Sequence, residues 1–301
     1  MNATLRLFVA LGTAALAFPA AAALNVFACE PEWAALVQEL AGDGASVYPA
    51  TTAMQDPHRI EARPSLIARV RSADLLVCTG ADLEVGWLPL LLTQSGNGRI
   101  QPGTPGYFEA SRYVVKLDVP KVLDRALGDI HPGGNPHIHT DPRNIASVSE
   151  ALAQRLAQLD SAKAETYRAR GKAFLERWRS AIEKWERQAA PLRGMPIVEH
   201  HKSFVYLEAW LGLKEVGTLE PIPGIPPTPS HLAELVEAMR RQPAKLIVYS
   251  SFNDPKAAAF LSERTKIRAV MLPFTVGGTD KAKDLFGYFD DLIGRLLEGA
   301  K

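Results

Sequence analysis

The chain has 301 residues, 47% hydrophobic and 22% charged, with a formal net charge of +1. That length accommodates two domains of ordinary size, and the composition is that of a soluble globular protein. Without the 1–23 segment, which holds only Arg6 as a charge, 33 basic residues face 33 acidic ones. Nothing in that balance suggests nucleic acid or an anionic membrane surface as a partner.

Residues 1–23 read as a secretory signal, with Arg6 as a short basic start, an apolar run over 7–18 and Ala21-Ala22-Ala23 as the cleavage site. The run is short for a membrane span, and no Cys at the cleavage point offers a lipid anchor. The expectation is a soluble, exported protein. Residues 24–29 form a continuous apolar run, as a buried parallel strand does. A helix follows from Pro31 to Leu40, with Trp33, Leu36, Val37 and Leu40 at helical spacing, stopped by Gly42-Asp43-Gly44. Strands are expected at 45–48, 73–78 and 114–117, and helices at 65–72 and 84–92. Strands alternating with helices imply right-handed βαβ units, which bind ligands at the carboxyl ends of their strands. Cys29 and Cys78 each end a strand. If those strands are parallel neighbours, an exported protein would join them in a disulfide; otherwise they are two buried thiols.

The segment 128–142 holds three of the seven histidines, His131, His137 and His139, among glycines and prolines that exclude helix and central strand. A helix is expected over 141–159. A longer one starts with Ser161 as N-cap and runs to about Gln188, with Tyr167, Phe174, Trp178, Ile182 and Trp185 as a core stripe. At 1.5 Å per residue that helix is about 40 Å long, a rigid strut between lobes. Pro191 to Gly194 ends it. The second half alternates again: strands at 196–199, 214–217, 246–249 and 269–272, and helices at 203–211, 230–240, 255–264 and 285–297. Ser230 is the expected cap of the 230–240 helix. The fold class is therefore α/β: two lobes, 24–159 and 191–301, each a mostly parallel sheet flanked by helices, joined by the long helix over 160–190.

Three histidines follow strand ends: His58 in Gln55-Asp56-Pro57-His58, His137 in the Gly/Pro loop, and His201 after the first strand of the second lobe. Facing lobes would bring them into one cleft. Asp280 follows the last strand behind Gly277-Gly278, with Glu220 and Asp284 as competing carboxylates. Three imidazoles and one carboxylate fill a tetrahedron and leave no position for activated water, which argues for binding and against hydrolysis.

These segments resemble the zinc and manganese solute-binding proteins of bacterial ABC importers. Asp56-Pro57-His58 with Pro64-Ser65 is similar to the family's first ligand segment. Ala73-Asp74-Leu75 with Gly80 and Leu83-Glu84 is similar to its next strand and helix start. Asn135-Pro136-His137-Ile138-His139-Thr140-Asp141-Pro142 resembles the second ligand segment, and His201 with Phe204, Tyr206 and Leu211-Gly212-Leu213 the third. The resemblance makes His137 rather than His139, and His201 rather than His200, the ligands. Asn135 stands where the family has Asp, His139 where it has Trp, and Leu272-Pro273 where Leu-Asp is common; Asp280 substitutes for that last carboxylate. The long His-rich loop of many zinc members is missing, and His131 with His139 would form a short metal-collecting arm.

The resemblance implies a monomeric periplasmic protein that is not an enzyme. It would capture Zn²⁺ through His58, His137, His201 and Asp280 and deliver the ion to a membrane ABC permease, taking it from a periplasmic metallochaperone. The alternatives are Mn²⁺ or another divalent metal on the same scaffold, or a zinc hydrolase with Glu199 as base.

Overall fold

The computed structural model describes residues 23–122, 124, 128 and 130–301. The signal-peptide expectation falls almost wholly outside these residues. Among the described residues no helix is long and apolar enough to cross a membrane.

The first lobe runs β1 (Leu24–Ala28), α1 (Pro31–Ala41), β2 (Ala45–Pro49), α2 (Pro64–Ser72), β3 (Leu75–Cys78), α3 (Leu88–Ser95) and β4 (Tyr107–Glu109). Its four strands are parallel in the order β2-β1-β3-β4. Two helices follow, α4 (Pro142–Leu159) and α5 (Ala164–Ala189). The second lobe runs β5 (Pro196–Glu199), α6 (Val205–Leu211), β6 (Lys214–Thr218), α7 (Pro229–Arg241), β7 (Leu246–Ser250), α8 (Lys256–Thr265), β8 (Arg268–Leu272) and α9 (Leu285–Ala300). Its parallel order, β6-β5-β7-β8, repeats the first. The central strands β1, β3, β5 and β7 are short, apolar and largely buried, whereas the edge strands β2, β6 and β8 are only half-buried.

The fourth strand differs from the expected position. It is Tyr107–Glu109, and residues 114–117 are not strand. Gly106 makes the earlier segment possible: its carbonyl accepts Leu76 N at 2.8 Å, and a Cβ there would lie 2.4 Å from the Arg99 carbonyl. Helix α3 starts at Leu88 rather than Glu84, because the Glu84 carboxylate is taken up by the Thr79 and Gly80 amides. Thr228, not Ser230, caps α7, and Ser161 opens a short 3-10 turn ahead of α5 rather than capping it.

The β1–β3 register sets Ala28 opposite Val77, so the next pair, Cys29 and Cys78, meets at the carboxyl edge. A disulfide joins them, with Cα atoms 4.8 Å apart. Helix α5 spans about 39 Å and packs against α1 and α4 on one side and α9 on the other. Its stripe is core: Trp178 Nε1 donates to the Pro142 carbonyl at 2.7 Å and Trp185 Nε1 to Asp290 at 2.6 Å. Both indoles pack on Phe289 of α9. One apolar cluster runs without a break from Val26 in β1 through α5 to Leu296 in α9.

Each lobe also buries an acidic pair at the end of its central strand, Glu30 with Glu84 and Glu199 with Glu208. Burial, reinforced by the neighbouring carboxyl, pushes Glu30 and Glu199 well above the usual carboxylate range. Burial raises Glu84 to about 7. One proton held between two buried carboxyls removes a like-charge repulsion that the low-dielectric interior would not screen.

Candidate metal centre

Three loops at strand carboxyl ends carry the imidazoles. The first follows β2. Asp56 folds it by accepting His58 N at 3.0 Å, and the same Oδ1 accepts His58 Nδ1 at 2.8 Å. Trp87 Nε1 holds the Pro57 carbonyl at 2.9 Å beneath the ring. Asp56 thus shapes the turn and sets the ring orientation.

The second loop lies between β4 and α4. Gly134 adopts φ +99°, and a Cβ there would approach the Leu117 carbonyl to 2.8 Å, so only glycine fits without strain. Asn135 Oδ1 accepts His137 N at 3.0 Å, while its Nδ2 donates to the Lys202 carbonyl at 2.8 Å, in the loop after β5. Tyr206 OH takes Leu117 N and donates to the Asn135 carbonyl. The backbone around 117 is therefore bonded to this strap and not to a sheet.

The third loop follows β5. Buried Glu199 accepts Phe204 N at 3.0 Å, turning the chain into α6. His201 Nδ1 meets Glu220 Oε2 at 2.7 Å, and the same oxygen accepts Gly224 N at 2.8 Å.

The ring centroids of His58, His137 and His201 are 5.3, 5.6 and 5.7 Å apart. One ring nitrogen from each lies within 4.8 Å of the others. A tetrahedral zinc with Zn–N near 2.0 Å needs nitrogens about 3.3 Å apart, so small ring movements close the set. Carboxylates only accept, so the Nδ1 atoms of His58 and His201 carry hydrogens and their Nε2 lone pairs stay available. His58 Nε2 and both nitrogens of His137 are buried without a protein hydrogen-bond partner. That arrangement costs free energy in an apo protein and suits a cation. Burial, and then the neighbouring imidazoles, push the His137 pKa well below the usual histidine range, leaving it the neutral base a metal requires. Asp56 is held below the ordinary carboxylate range: burial, the largest single influence, raises it, but the side-chain and backbone hydrogen bonds from His58 and the charges of the His58 and His201 imidazoles together outweigh that.

The remaining candidates lie elsewhere. Asp280 is exposed and is not part of the three-imidazole cluster. Asp284 caps α9 through Gly287 N at 2.7 Å. The metal-collecting arm is corrected at His139, which is buried. Its Nε2 donates to the Phe274 carbonyl at 2.9 Å, and its Nδ1 lies 3.2 Å from Glu32 Oε1 without hydrogen-bond alignment. Thr275 Oγ1 donates to the other oxygen of Glu32 at 2.5 Å, so His139 belongs to a buried polar tie between the lobes. Phe274 packs edge-on against both His137 and His139. The ring of His131 lies 5.3 Å from that of His58. Glu199 is engaged with Phe204 and Glu208 rather than poised as a base. The orienting roles of Asp56 and Glu220 were missed in the sequence; the Asp-Pro-His spacing was the only signal for the first, and nothing local pairs Glu220 with His201.

The profile of the family described as "ZnuA: Zinc-uptake complex component A periplasmic" matches residues 26–299. The high-affinity zinc uptake system protein ZnuA of Paracoccus denitrificans (strain Pd 1222) is 25% identical over 315 residues, covering 93% of this chain and 92% of that protein. The manganese ABC transporter substrate-binding lipoprotein scaA of Streptococcus gordonii is 23% identical over 292 residues, covering 92% and 88%. A solved structure described as "Crystal structure of ZnuA" superposes with a TM-score of 0.75 at 19% identity, over 91% of this chain and 99% of that one, a likeness of fold. With the family profile spanning nearly all the described chain, the protein belongs to the periplasmic zinc-uptake component A family, metal-binding solute-binding proteins of ABC importers and not enzymes.

Proposed function

We propose that the chain captures Zn²⁺ in the periplasm and delivers it to a membrane ABC permease. The observation that supports this most is the convergence of His58, His137 and His201, with buried unpartnered nitrogens on His58 and His137 and carboxylates behind the His58 and His201 rings. Three imidazoles suit zinc better than manganese, which takes oxygen-rich sites. The zinc name of one relative and the manganese name of another leave that choice to the donor set.

Asp280 is the fourth ligand in this reading. Its loop, 273–284, follows β8 and would swing the exposed carboxylate onto the ion when metal arrives. That contact would exist only in the loaded state, giving the permease a difference to read. Residues 1–23 are the export signal, 24–159 and 191–301 the two lobes, and 160–190 their link. The protein works as a monomer and receives zinc from a periplasmic metallochaperone.

The test is metal analysis of untagged protein purified from its native compartment, followed by a metal-bound structure. One zinc per chain on three histidines is the expected result, and manganese in its place would overturn the zinc reading. A water, Glu220 or Asp284 as fourth ligand would remove Asp280 and leave the histidines standing.

A further inference from the structure

Two cavities flank the three imidazoles. The smaller, about 250 Å³, touches His131, His137 and His201. The larger, about 630 Å³, is lined by His58 and His201 and has Leu232, Phe252 and Phe260 among its apolar walls. His200 also lines this larger cavity. Its backbone is locked in the sheet edge: its N donates to the Val248 carbonyl at 2.9 Å, and its own carbonyl accepts Glu220 N at 3.1 Å. The residue is only 7% exposed, and its buried Nδ1 has no hydrogen-bond partner. A strand-end imidazole held this way, one residue from a ligand, has no structural role that its contacts reveal.

We propose that His200 is a waypoint for the cargo, binding the incoming zinc ion in the larger cavity before it moves on to His201 and the three-histidine site. The inference rests on the zinc-capture reading. A hydrated ion entering an apolar-walled cavity must shed water, and a ligand in the wall replaces part of that shell before the rest is lost. The next station is the adjacent residue, His201, which lines the same cavity. Asp254 lines the same cavity, but its carboxylate accepts Lys256 N at 3.0 Å and pairs with Lys256 Nζ at 3.1 Å, so His200 is the ligand the argument rests on. The smaller cavity presents His131 instead, so the two routes can be told apart by mutation.

A waypoint lies on the path and outside the final complex. Removing it raises the barrier equally in both directions and leaves the equilibrium alone. The experiment is stopped-flow zinc loading, and release into excess chelator, for wild type, His200→Ala, His200→Cys and His131→Ala, with Kd from competition titration. In His200→Ala both rate constants should fall about tenfold while Kd stays within about twofold, and His200→Cys should recover speed because a thiolate also binds zinc. His131→Ala should leave both rates near wild type. Should the alanine variant fail to fold, His200→Asn gives the same comparison with a poor ligand of similar polarity. Unchanged rates in the His200 variant, a loss of affinity at constant loading rate, or slowing by His131→Ala alone would overturn the proposal. Wild-type protein that binds no zinc would instead overturn the capture reading before any rate is compared.

Discussion

Asn135 Nδ2 donates to the Lys202 carbonyl at 2.8 Å, tying the loop that carries His137 to the loop that carries His201. The position held by Asp in the resembled family thus carries an amide here for a reason: a carboxylate would present a second acceptor to a carbonyl. Asn135→Asp keeps the acceptor for His137 N and removes the donor. It should cost about 1–3 kcal/mol, the usual penalty of stranding a part-buried acceptor. Denaturant unfolding checks this, and an unchanged midpoint would mean the tie contributes nothing.

The ligands and the carboxylates behind them should separate by size of effect. His58→Ala, His137→Ala and His201→Ala should each lower zinc affinity by more than about 100-fold, whereas Asp56→Ala and Glu220→Ala should cost about 10–100-fold, as loss of an orienting partner does. The lobes should stay folded, since their cores do not touch the ion. Chelator competition reads all five, and a histidine variant with wild-type affinity would strike that residue from the site.

Cys29 and Cys78 are fully buried and joined. Closing a loop with a sequence separation of 49 contributes on the order of 4 kcal/mol by chain-entropy reasoning. A Cys29→Ala/Cys78→Ala variant should unfold earlier by a corresponding margin and bind zinc as before, because neither sulfur belongs to the imidazole cluster. Thiol labelling of the native protein without reductant would contradict the bond.

Glu84 gives a signed pH effect. Its carboxyl is raised by burial to about 7 in the fold against 4.5 ordinarily. Between those values the folded state holds more protons than the unfolded chain, so this contribution is complete below the lower value and is lost as pH rises through the upper one. The loss is on the order of 3 kcal/mol. Glu84→Gln can keep the Thr79 amide contact and donate to Glu30, so its stability advantage over wild type should grow from pH 4.5 and level off above about 7. His137, depressed instead, tilts both proteins the other way, with stability gained as pH rises through about 6.5, and cancels in the difference. Parallel pH curves would show that the pair is ionised in the fold.

The alternating architecture was legible because strand and helix periods differ and glycines and prolines punctuate them; the Cys29–Cys78 pairing followed from parallel neighbours. The fourth strand was not. Three residues, Tyr107–Glu109, are too few to carry a period, and the more strand-like 114–117 spends its backbone bonds on Tyr206 and Asn135. His58 and His201 were legible as candidates from their place after strands, whereas His137 was picked out by its Gly/Pro loop, since the strand expected before it at 114–117 is not one. His139 was misread because a histidine in a Gly/Pro loop looks exposed, and only the tertiary fold sets Phe274, Glu32 and Thr275 around it.

The unbroken apolar cluster through α5 has a mechanical consequence. A book opens along its spine, but here the spine is filled with Trp178, Trp185 and Phe289. Parting the halves would wet those rings, so opening of the site is expected in the loops at the strand ends while the block beneath stays still. Such a block should melt as one piece. Calorimetry of the metal-free protein is expected to give a single transition with matching calorimetric and van't Hoff enthalpies, whereas two transitions would mean that the halves come apart independently after all.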